Sequence, residues 1–166
     1  MEYRLAREED IEEIMMLINK AIVEMENNGI RQWDERYPTR EKFLEDIMKK
    51  HLYLVHDHET LVALYAISSE CDEAYHSVEW QGKDKSAYIL HRFCVSPDLQ
   101  NRGIGKTVLS HIEEQVQEMG YETIRLDAFT QNPYALNLYH HNGYITRGYA
   151  RWRKGCFELM EKKIND

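Results

Sequence analysis

Apolar residues recur at three- and four-residue intervals along several segments of the chain, a spacing that predicts helices with one buried face. In the first of these segments the apolar positions are Ile11, Ile14, Met15, Ile18, Ile22 and Met25. Asn132 and Pro133 are typical of a helix start, with asparagine as the N-cap and proline at the first helical position. Helices are therefore predicted at residues 8–27, 40–51 and 103–119, and from 132 to 143.

Shorter apolar segments bounded by turn-forming residues predict strands. The segment 61–67 is apolar on both faces, so we expect a central strand that is covered on both sides. Strands are predicted at 3–6, 52–56, 60–68, 87–95, 122–129, 144–153 and 156–162, with polar loops at 30–39 and 71–85. The order βααβββαβαββ predicts an α/β (α+β) fold, one domain over residues 1–166, with helices on the faces of a mixed sheet.

Composition excludes several classes of protein. The net charge of −8 argues against nucleic-acid binding, which needs clustered lysine and arginine, and it suits a cationic substrate. We expect neither a signal peptide nor a membrane span, because no suitable apolar run occurs. Cys71, Cys94 and Cys156 are odd in number and form no CxxC pair, which is typical of a reduced, cytoplasmic protein. The histidines lack the companions of a usual zinc site, so no metal is expected.

A glycine-containing segment, Gln100-Asn101-Arg102-Gly103-Ile104-Gly105, lies between a predicted strand and a predicted helix. The first turn of a helix presents backbone N–H groups without intrahelical partners, and the helix dipole adds partial positive charge. Glycines allow a phosphate to approach the backbone closely. Together with Arg102 and Lys106, these features predict a site for an anionic group.

Two nucleotide-binding motifs do not fit this segment. Gly105-Lys106-Thr107 resembles the end of a P-loop, but the position five residues before Gly105 holds Gln100 instead of glycine. A dinucleotide fingerprint needs a third glycine at the position of Val108. The remaining pattern, Q-x-x-G-x-G, is only moderately specific, and a glycine-rich turn that binds nothing also fits it.

A second motif occupies residues 132–144 and reads N-P-Y-A-L-N-L-Y-H-H-N-G-Y. It resembles the N-x-x-A-x-x-L-Y-x-x-x-G-[FY] signature of the GNAT superfamily of N-acetyltransferases. Residues 95–105, V-S-P-D-L-Q-N-R-G-I-G, resemble the coenzyme-binding motif of the same superfamily, V-x-P-x-x-Q/R-x-x-G-x-G. The resemblance implies a largely antiparallel sheet that splays between two parallel strands, 87–95 and 122–129, with helices on both faces.

The resemblance also implies acetyl-CoA (coenzyme A) as the co-substrate, used without a metal. The pantetheine arm would pair with the backbone of strand 87–95, and the pyrophosphate would bind main-chain N–H groups of the glycine segment. The Tyr139 hydroxyl would protonate the leaving thiolate, and Asn132 would hydrogen-bond to the coenzyme. The coenzyme site would comprise Phe93, Cys94, Val95, Gln100, Asn101, Arg102, Gly103, Ile104, Gly105, Lys106, Thr107, Asn132, Ala135, Leu138 and Tyr139.

The attacking amine must lose a proton, because free alkyl amines have a pKa of roughly 10, so a general base is expected. His91 is our first candidate, because it lies in strand 87–95 upstream of the pantetheine-pairing residues, and Glu79 is the second, in a loop that could overhang the cleft. Ile89 falls where some members of the family place a catalytic glutamate, so that version of the mechanism is not expected here. A strand histidine with a structural hydrogen bond is the alternative interpretation of His91. Cys94 could form an acyl intermediate, although a small buried side chain is the favoured interpretation.

The acceptor is the least defined part of the prediction. Trp33, Tyr37 and Trp80 fall in the two predicted loops, where they either line an acceptor pocket or act as packing anchors. Those loops would close a peptide groove, which favours a small-molecule amine. The alternatives are a protein N-terminal or lysine acetyltransferase and, in another class, a non-catalytic acyl-CoA-binding sensor module. A homodimer through the C-terminal strands is also considered.

Overall fold

The computed structural model describes residues 1–165, which form a mixed seven-stranded sheet with four α-helices. The helices are α1 (Ile11–Asn27), α2 (Arg40–Met48), α3 (Ile104–Glu118) and α4 (Pro133–His141). The strands are β1 (Glu2–Leu5), β2 (Leu52–Asp57), β3 (Thr60–Ser68), β4 (Ala87–Val95), β5 (Thr123–Phe129), β6 (Ile145–Trp152) and β7 (Gly155–Lys163). Their order in the sheet is β1-β2-β3-β4-β5-β7-β6. The predicted mixed sheet with helices is confirmed.

The chain divides into two compact units, of which the first comprises Met1–Ile67 and Arg92–Ile104. In this unit β1 pairs with β2, and β2 with β3, both antiparallel. Helix α1 buries one face, because its apolar residues recur at helical spacing. The Thr39 hydroxyl caps α2 by accepting a hydrogen bond from the Lys42 amide (3.1 Å). The core of the unit includes Ile14, Ile18, Phe43, Leu52, Leu54 and Leu64.

Strand β3 is buried along Leu61–Ser68, which confirms the prediction of a central, covered strand. A strand that is apolar on both faces has few polar side chains to desolvate, so it can be covered on both sides at little cost in free energy. Its neighbour β2 is less uniform, with buried Leu52 and Leu54 alternating with the half-buried Tyr53. The two burial patterns follow directly from the two sequence patterns.

The second unit comprises Ser68–His91 and the chain from Gly105 onward. In this unit β5 pairs antiparallel with β7 along its whole length, Thr123–Phe129. The first part of β4 pairs with β5 in parallel at Ala87–Ile89, and this ladder stops well before β4 ends at Val95. Strand β6 completes the unit by pairing antiparallel with β7. The parallel pair predicted at 87–95 and 122–129 is therefore present.

Several element boundaries differ from the predictions for local reasons. Residues Glu8–Asp10 form a short 3-10 turn before α1, in which an Asp10 carboxylate oxygen accepts from the Arg7 amide (2.7 Å). Helix α2 ends at Met48 and not near residue 51, since Lys50 has a positive φ of 60° that no helix continues. The predicted loop 71–85 contains a five-residue 3-10 turn, Glu73–Ser77. The single domain and the homodimer stay predictions.

Candidate active site

The glycine segment follows β4 and is shaped by two residues with positive φ. Asn101 has φ 65° and Gly103 has φ 77°, and both are exposed. An added Cβ at Gly103 would meet no atom within 4 Å, so the backbone conformation and not crowding calls for glycine there. Helix α3 begins at the next residue, Ile104. The segment is therefore followed directly by the first turn of a long helix.

The charges at this helix start suit an anion. The first turn of α3 contains no acidic residue, and Arg102 and Lys106 are exposed beside it. Backbone N–H groups of a first helical turn point outward along the axis, where the helix dipole favours negative charge. A pyrophosphate has the charge and the acceptor oxygens that this donor set would bind.

The turn that precedes the glycine segment is anchored within the first unit. The Ser96 amide donates to the Val62 carbonyl oxygen (2.8 Å), and the Leu99 amide donates to the Ser96 carbonyl oxygen (3.0 Å). An ion pair between Lys20 of α1 and Asp98 (3.0 Å) adds a contact at the surface. The strand end is therefore held by buried backbone bonds, while the residues that follow it face solvent.

The predicted pantetheine-pairing residues, Phe93 to Val95, form the end of β4. Cys94 is buried in the core of the first unit, and its burial raises the pKa of the thiol to about 12. A thiol that stays protonated at neutral pH is a poor nucleophile. The side chain thus fits the interpretation of Cys94 as a small buried residue and does not favour an acyl-cysteine route.

Arg92 precedes this segment and forms a cluster that the sequence did not suggest. Its Nε and Nη2 atoms donate to the two carboxylate oxygens of Asp46 on α2 (2.7 and 2.8 Å), and its Nη1 donates to the Tyr37 hydroxyl (3.0 Å). The Arg92 and Asp46 side chains are 8% and 2% exposed. Two features of the sequence could have suggested this cluster. Arg92 is a charged residue inside a predicted strand, and Asp46 lies three residues after the buried Phe43, on the inner face of α2.

The two predicted acceptor residues of the first unit differ in environment. Trp33 is buried in the core cluster, so its ring contributes to packing. Tyr37 is 40% exposed, with its hydroxyl bound to Arg92 as described above. Of the two, Tyr37 presents a face to solvent that a ligand can reach.

Helix α4 carries the second motif, and Asn132 is its N-cap. The Asn132 Oδ1 atom accepts a hydrogen bond from the Ala135 amide (3.2 Å), and Pro133 occupies the first helical position, as predicted. Ala135 and Leu138 are half-buried on the same helix. The motif residues therefore build the helix itself, and an amide oxygen of Asn132 is already engaged in doing so.

Tyr139 is buried, with its ring edge against the Tyr144 ring at a centroid distance of 5.7 Å. Burial raises the pKa of its phenol well above the usual value, and the negative charge of Asp127 raises it further. The phenol is thus held in its protonated form at neutral pH. A group in this state can donate a proton, which is the role that the resemblance implies.

Asp127, on β5, is the site residue that the sequence analysis missed. The Tyr75 hydroxyl donates a hydrogen bond to its Oδ2 atom (2.7 Å), and Tyr75 comes from the predicted loop 71–85. Strand β5 is otherwise apolar apart from its first residue and Arg125, so two charged residues two positions apart were the available signal. The carboxylate acts electrostatically on Tyr139, and it is therefore a candidate for proton transfer.

The two predicted bases have contrasting surroundings in the second unit. The His91 Nε2 atom lies 2.8 Å from the Glu70 carbonyl oxygen and 3.4 Å from the Ser68 hydroxyl. A carbonyl oxygen only accepts, so the proton of neutral His91 is placed on Nε2 and the lone pair on Nδ1. Glu79 is exposed. His91 is thus an oriented imidazole, whereas Glu79 is a solvated carboxylate.

Trp80 packs inside the second unit and holds the 71–85 segment in place. Its Nε1 donates to the Tyr75 carbonyl oxygen (2.8 Å), and the Arg125 guanidinium lies 4.5 Å from its ring centroid. The amides of Gln81 and Gly82 donate to the buried Glu161 carboxylate (2.7 and 3.2 Å). These contacts give Trp80 a packing role, and they attach the end of the 71–85 segment to β5 and β7.

Residues 1–165 lack two further features. No group of three or more histidine, cysteine, aspartate or glutamate side chains in this part of the chain has the geometry to hold a metal ion. Within the same residues, none of the helices has both the length and the apolar character that a membrane crossing requires.

Comparison with known proteins places these motifs in a family. The family model described as "Acetyltransferase (GNAT) family" matches residues 19–144. The S-(2-succino)cysteine N-acetyltransferase of Bacillus subtilis (strain 168) is 24% identical over 166 residues, covering 97% of this chain and 94% of that protein. A GNAT family acetyltransferase from Streptococcus agalactiae 2603 superposes with a TM-score of 0.87 at 23% identity, covering 99% of this chain and 96% of that one.

A further solved structure, an acetyltransferase from Salmonella typhimurium with its cofactor acetyl-CoA, superposes with a TM-score of 0.72 at 15% identity. It covers 100% of this chain and 95% of that one, so the likeness extends over the whole fold. The family model spans both the glycine segment and the motif that ends at Tyr144. Because that match covers most of the sequence, this chain belongs to the GNAT family of acetyltransferases.

Proposed function

We propose that this chain transfers the acetyl group of acetyl-CoA to the primary amine of a small molecule by direct attack of the amine on the thioester. The observation that carries the proposal is the placement of Tyr139, a buried phenol on the helix that bears the second motif, close enough to Asp127 for that charge to act on it. Direct transfer needs a proton donor for the thiolate that leaves. A module that only sensed acyl-CoA would have no use for such a group.

The coenzyme is proposed to bind along the residues named from the sequence. The N–H groups from Gln100 to Thr107, with Arg102 and Lys106, would hold the pyrophosphate. The backbone of Phe93–Val95 would pair with the pantetheine amides, and Ala135 and Leu138 would pack against the coenzyme. The exposed, positive and acid-free start of α3 supports this assignment.

Proton transfers balance the proposed reaction. A base removes one proton from the amine, a C–N bond forms, the C–S bond breaks, and Tyr139 gives its proton to the departing sulfur. Burial makes the Tyr139 phenol a weaker acid, so proton transfer to a thiolate with the ordinary pKa of roughly 8.5 is uphill, and the proposed donation requires that desolvation in the site also raise the pKa of the leaving thiol. The amide N–H near Val95 is proposed to bind the carbonyl oxygen as negative charge develops on it.

For the base we propose His91 first, with Glu79 second as predicted from the sequence and Asp127 as a candidate added by the structure. The Nε2–H of His91 is directed at the Glu70 carbonyl oxygen, which fixes the orientation of the ring. The oriented imidazole supports His91. The electrostatic effect of Asp127 on Tyr139 supports the alternative.

The proposed acceptor is a small amine that reaches the loops carrying Trp33, Tyr37 and Trp80. Tyr37 is the member of this set with a substantially exposed ring. The relative from Bacillus subtilis that matches 97% of this chain is named for a small amino-acid derivative, which supports the small-molecule class. A peptide acceptor is the competing outcome of the test below.

The proposal is tested by mixing the protein and acetyl-CoA with a panel of amino acids, polyamines and short peptides, and following release of free thiol. We expect thiol release that depends on a small amine, with the acetylated product visible by mass spectrometry. Release with peptides alone would show a protein acetyltransferase. Tight acetyl-CoA binding without release by any acceptor would instead support the sensor module and refute the proposed transfer.

The role of Tyr139 is tested by Tyr139→Phe, with Tyr134→Phe as the matched control on the exposed side of the same helix. Loss of the general acid is expected to lower kcat by roughly 10²-fold or more, with little change in acetyl-CoA affinity. The control is expected to behave like the wild type. Equal kcat values in wild type and Tyr139→Phe would remove Tyr139 as the acid.

The base is assigned by comparing His91→Ala with Asp127→Asn. The acidic limb of kcat/KM against pH reports the protonation of the group that accepts the proton. The variant that lacks the true base is expected to lose that limb, whereas the other retains it. An unchanged limb in His91→Ala would eliminate His91, and the same result in both variants would eliminate both residues.

A further inference from the structure

Arg92 has a backbone conformation that arginine rarely adopts in a strand. Its φ of +48° lies in the left-handed region, where a Cβ atom is crowded and glycine is the favoured residue. Among residues 1–165, the other non-glycine residues with positive φ are Lys50, His58 and Asn101, and all three lie in turns. Strained backbone conformations concentrate at functional sites, which is the reason to ask what the Arg92 side chain contacts.

The Arg92 side chain joins three segments of the first unit. Its guanidinium pairs with both oxygens of Asp46 on α2 and also donates to the hydroxyl of Tyr37, in the segment 30–39 that links α1 to α2. A planar guanidinium matches two carboxylate oxygens at once and keeps a further N–H for a third partner. A lysine ammonium has no such planar arrangement of donors.

The end of the linking segment is a closed turn that this hydrogen bond holds to β4. The backbones of Asp34 and Tyr37 exchange two hydrogen bonds (3.0 and 3.2 Å), and the Asp34 carboxylate accepts from the Arg36 amide (2.9 Å). The Tyr37 ring is exposed although its hydroxyl is bound. The turn thus presents one aromatic face to solvent in an orientation that Arg92 determines.

Position in the chain connects this turn with the reaction. Arg92 is followed directly by Phe93–Val95, the backbone segment proposed to carry the pantetheine and the oxyanion donor. We propose that Arg92 is a positioning residue, which holds the Tyr37 turn against β4 and so determines the affinity for an acceptor amine that packs on the Tyr37 ring. The expected effect on acceptor affinity rests on the proposed acetyl transfer, whereas the expected effect on the position of the Tyr37 turn does not.

The test compares Tyr37→Phe, which removes only the hydroxyl, with Tyr149→Phe, an exposed tyrosine on β6. Losing one hydrogen bond from a charged donor is expected to raise the acceptor KM by roughly tenfold, with kcat and the acetyl-CoA KM unchanged. Arg92→Lys is expected to act in the same direction. Amide hydrogen exchange of Asp34 and Tyr37 is expected to become faster in both variants and to stay unchanged in the control.

The outcomes separate this inference from the proposed function. Faster exchange together with a higher acceptor KM supports the positioning role. Unchanged exchange overturns it, and so does faster exchange with an unchanged acceptor KM. A wild-type protein that releases no thiol with any amine refutes the proposed function without recourse to a variant. Because Tyr37→Phe alters one exposed side chain, the result does not depend on whether Arg92→Lys folds.

Discussion

Replacing Asp46 should cost the fold as much as emptying a core position, although Asp46 lies outside the hydrophobic core. Its carboxylate is 2% exposed, and both oxygens are paired with Arg92, whose side chain is 8% exposed. Asp46→Ala would leave a guanidinium buried without its counter-charge. Arginine does not lose its proton in proteins, so it has no means of relieving this cost by titration.

The expected magnitude follows from the burial of both partners. Removing one member of a buried ion pair typically costs about 3–5 kcal/mol, most of it from the charge left behind. For a chain of this size each kcal/mol lowers the melting temperature by about 2–4 °C, so the shift should be roughly 6 to 20 °C. The nearby Lys42 ammonium, 3.8 Å from an Asp46 oxygen, is partly exposed and adds little.

Urea unfolding followed by circular dichroism measures this cost, with two comparison variants. Glu45→Ala removes an exposed carboxylate from the same helix that pairs with Lys42 and Lys49, and it should leave the midpoint nearly unchanged. Asp46→Ala with Arg92→Met removes the stranded charge and should recover much of the lost stability. A small loss for Asp46→Ala, or no recovery in the double variant, would refute the reasoning.

Three further predictions concern the second unit and pH. Gly148→Ala would place a Cβ 2.8 Å from the Val78 Cγ2 atom and should lower the free energy of unfolding in urea by about 1–3 kcal/mol. Adding Val78→Ala should recover part of the lost stability. Asn132→Ala removes the N-cap of α4 and should lower the free energy of unfolding by about 1 kcal/mol, whereas Asn132→Asp keeps an acceptor oxygen and should retain most of the stability. The tyrosine contribution to stability should stay constant below a pH of about 10 and be lost above it, because the unfolded chain releases phenolic protons there that the buried tyrosines retain. Tyrosinate absorbance that reached its full amplitude near pH 10 before unfolding would contradict this, since burial raises the pKa of Tyr65, Tyr75, Tyr139 and Tyr144.

Much of the fold was predictable because its determinants are local. Strand β4 has the bounds 87–95 that its apolar sequence predicted, and α4 begins where Asn132 and Pro133 predicted a start. Caps, turns and glycines with positive φ act within a few residues, so the local sequence is enough to predict where a helix or strand begins and ends. Boundaries were in error where a short 3-10 turn replaces a helical turn or a loop, as at Glu8–Asp10 and Glu73–Ser77, and at the end of α2, which stops at Met48.

Side-chain partners were not predictable in the same way. Arg92 and Asp46 are 46 positions apart in the sequence, and Tyr75 and Asp127 are 52 apart. Each of these residues lies among other polar or charged residues of its own strand, helix or loop, so none of them stands out in the sequence. Nothing in the local pattern of one member specifies the other, because the pairing is decided when the elements pack.

The parallel strand pair was implied by the resemblance of the motifs to the GNAT superfamily. The sequence by itself determined the order of the elements, the glycine segment at Gln100–Gly105 and the motif that carries Tyr139. These features depend on spacing along the chain, and spacing is what a sequence records. Only the tertiary structure decided that Tyr139 is buried under the influence of Asp127, and that Arg92 connects β4 to Asp46 and Tyr37. Burial and charge pairing depend on distances between remote residues, and those distances exist only once the chain has folded.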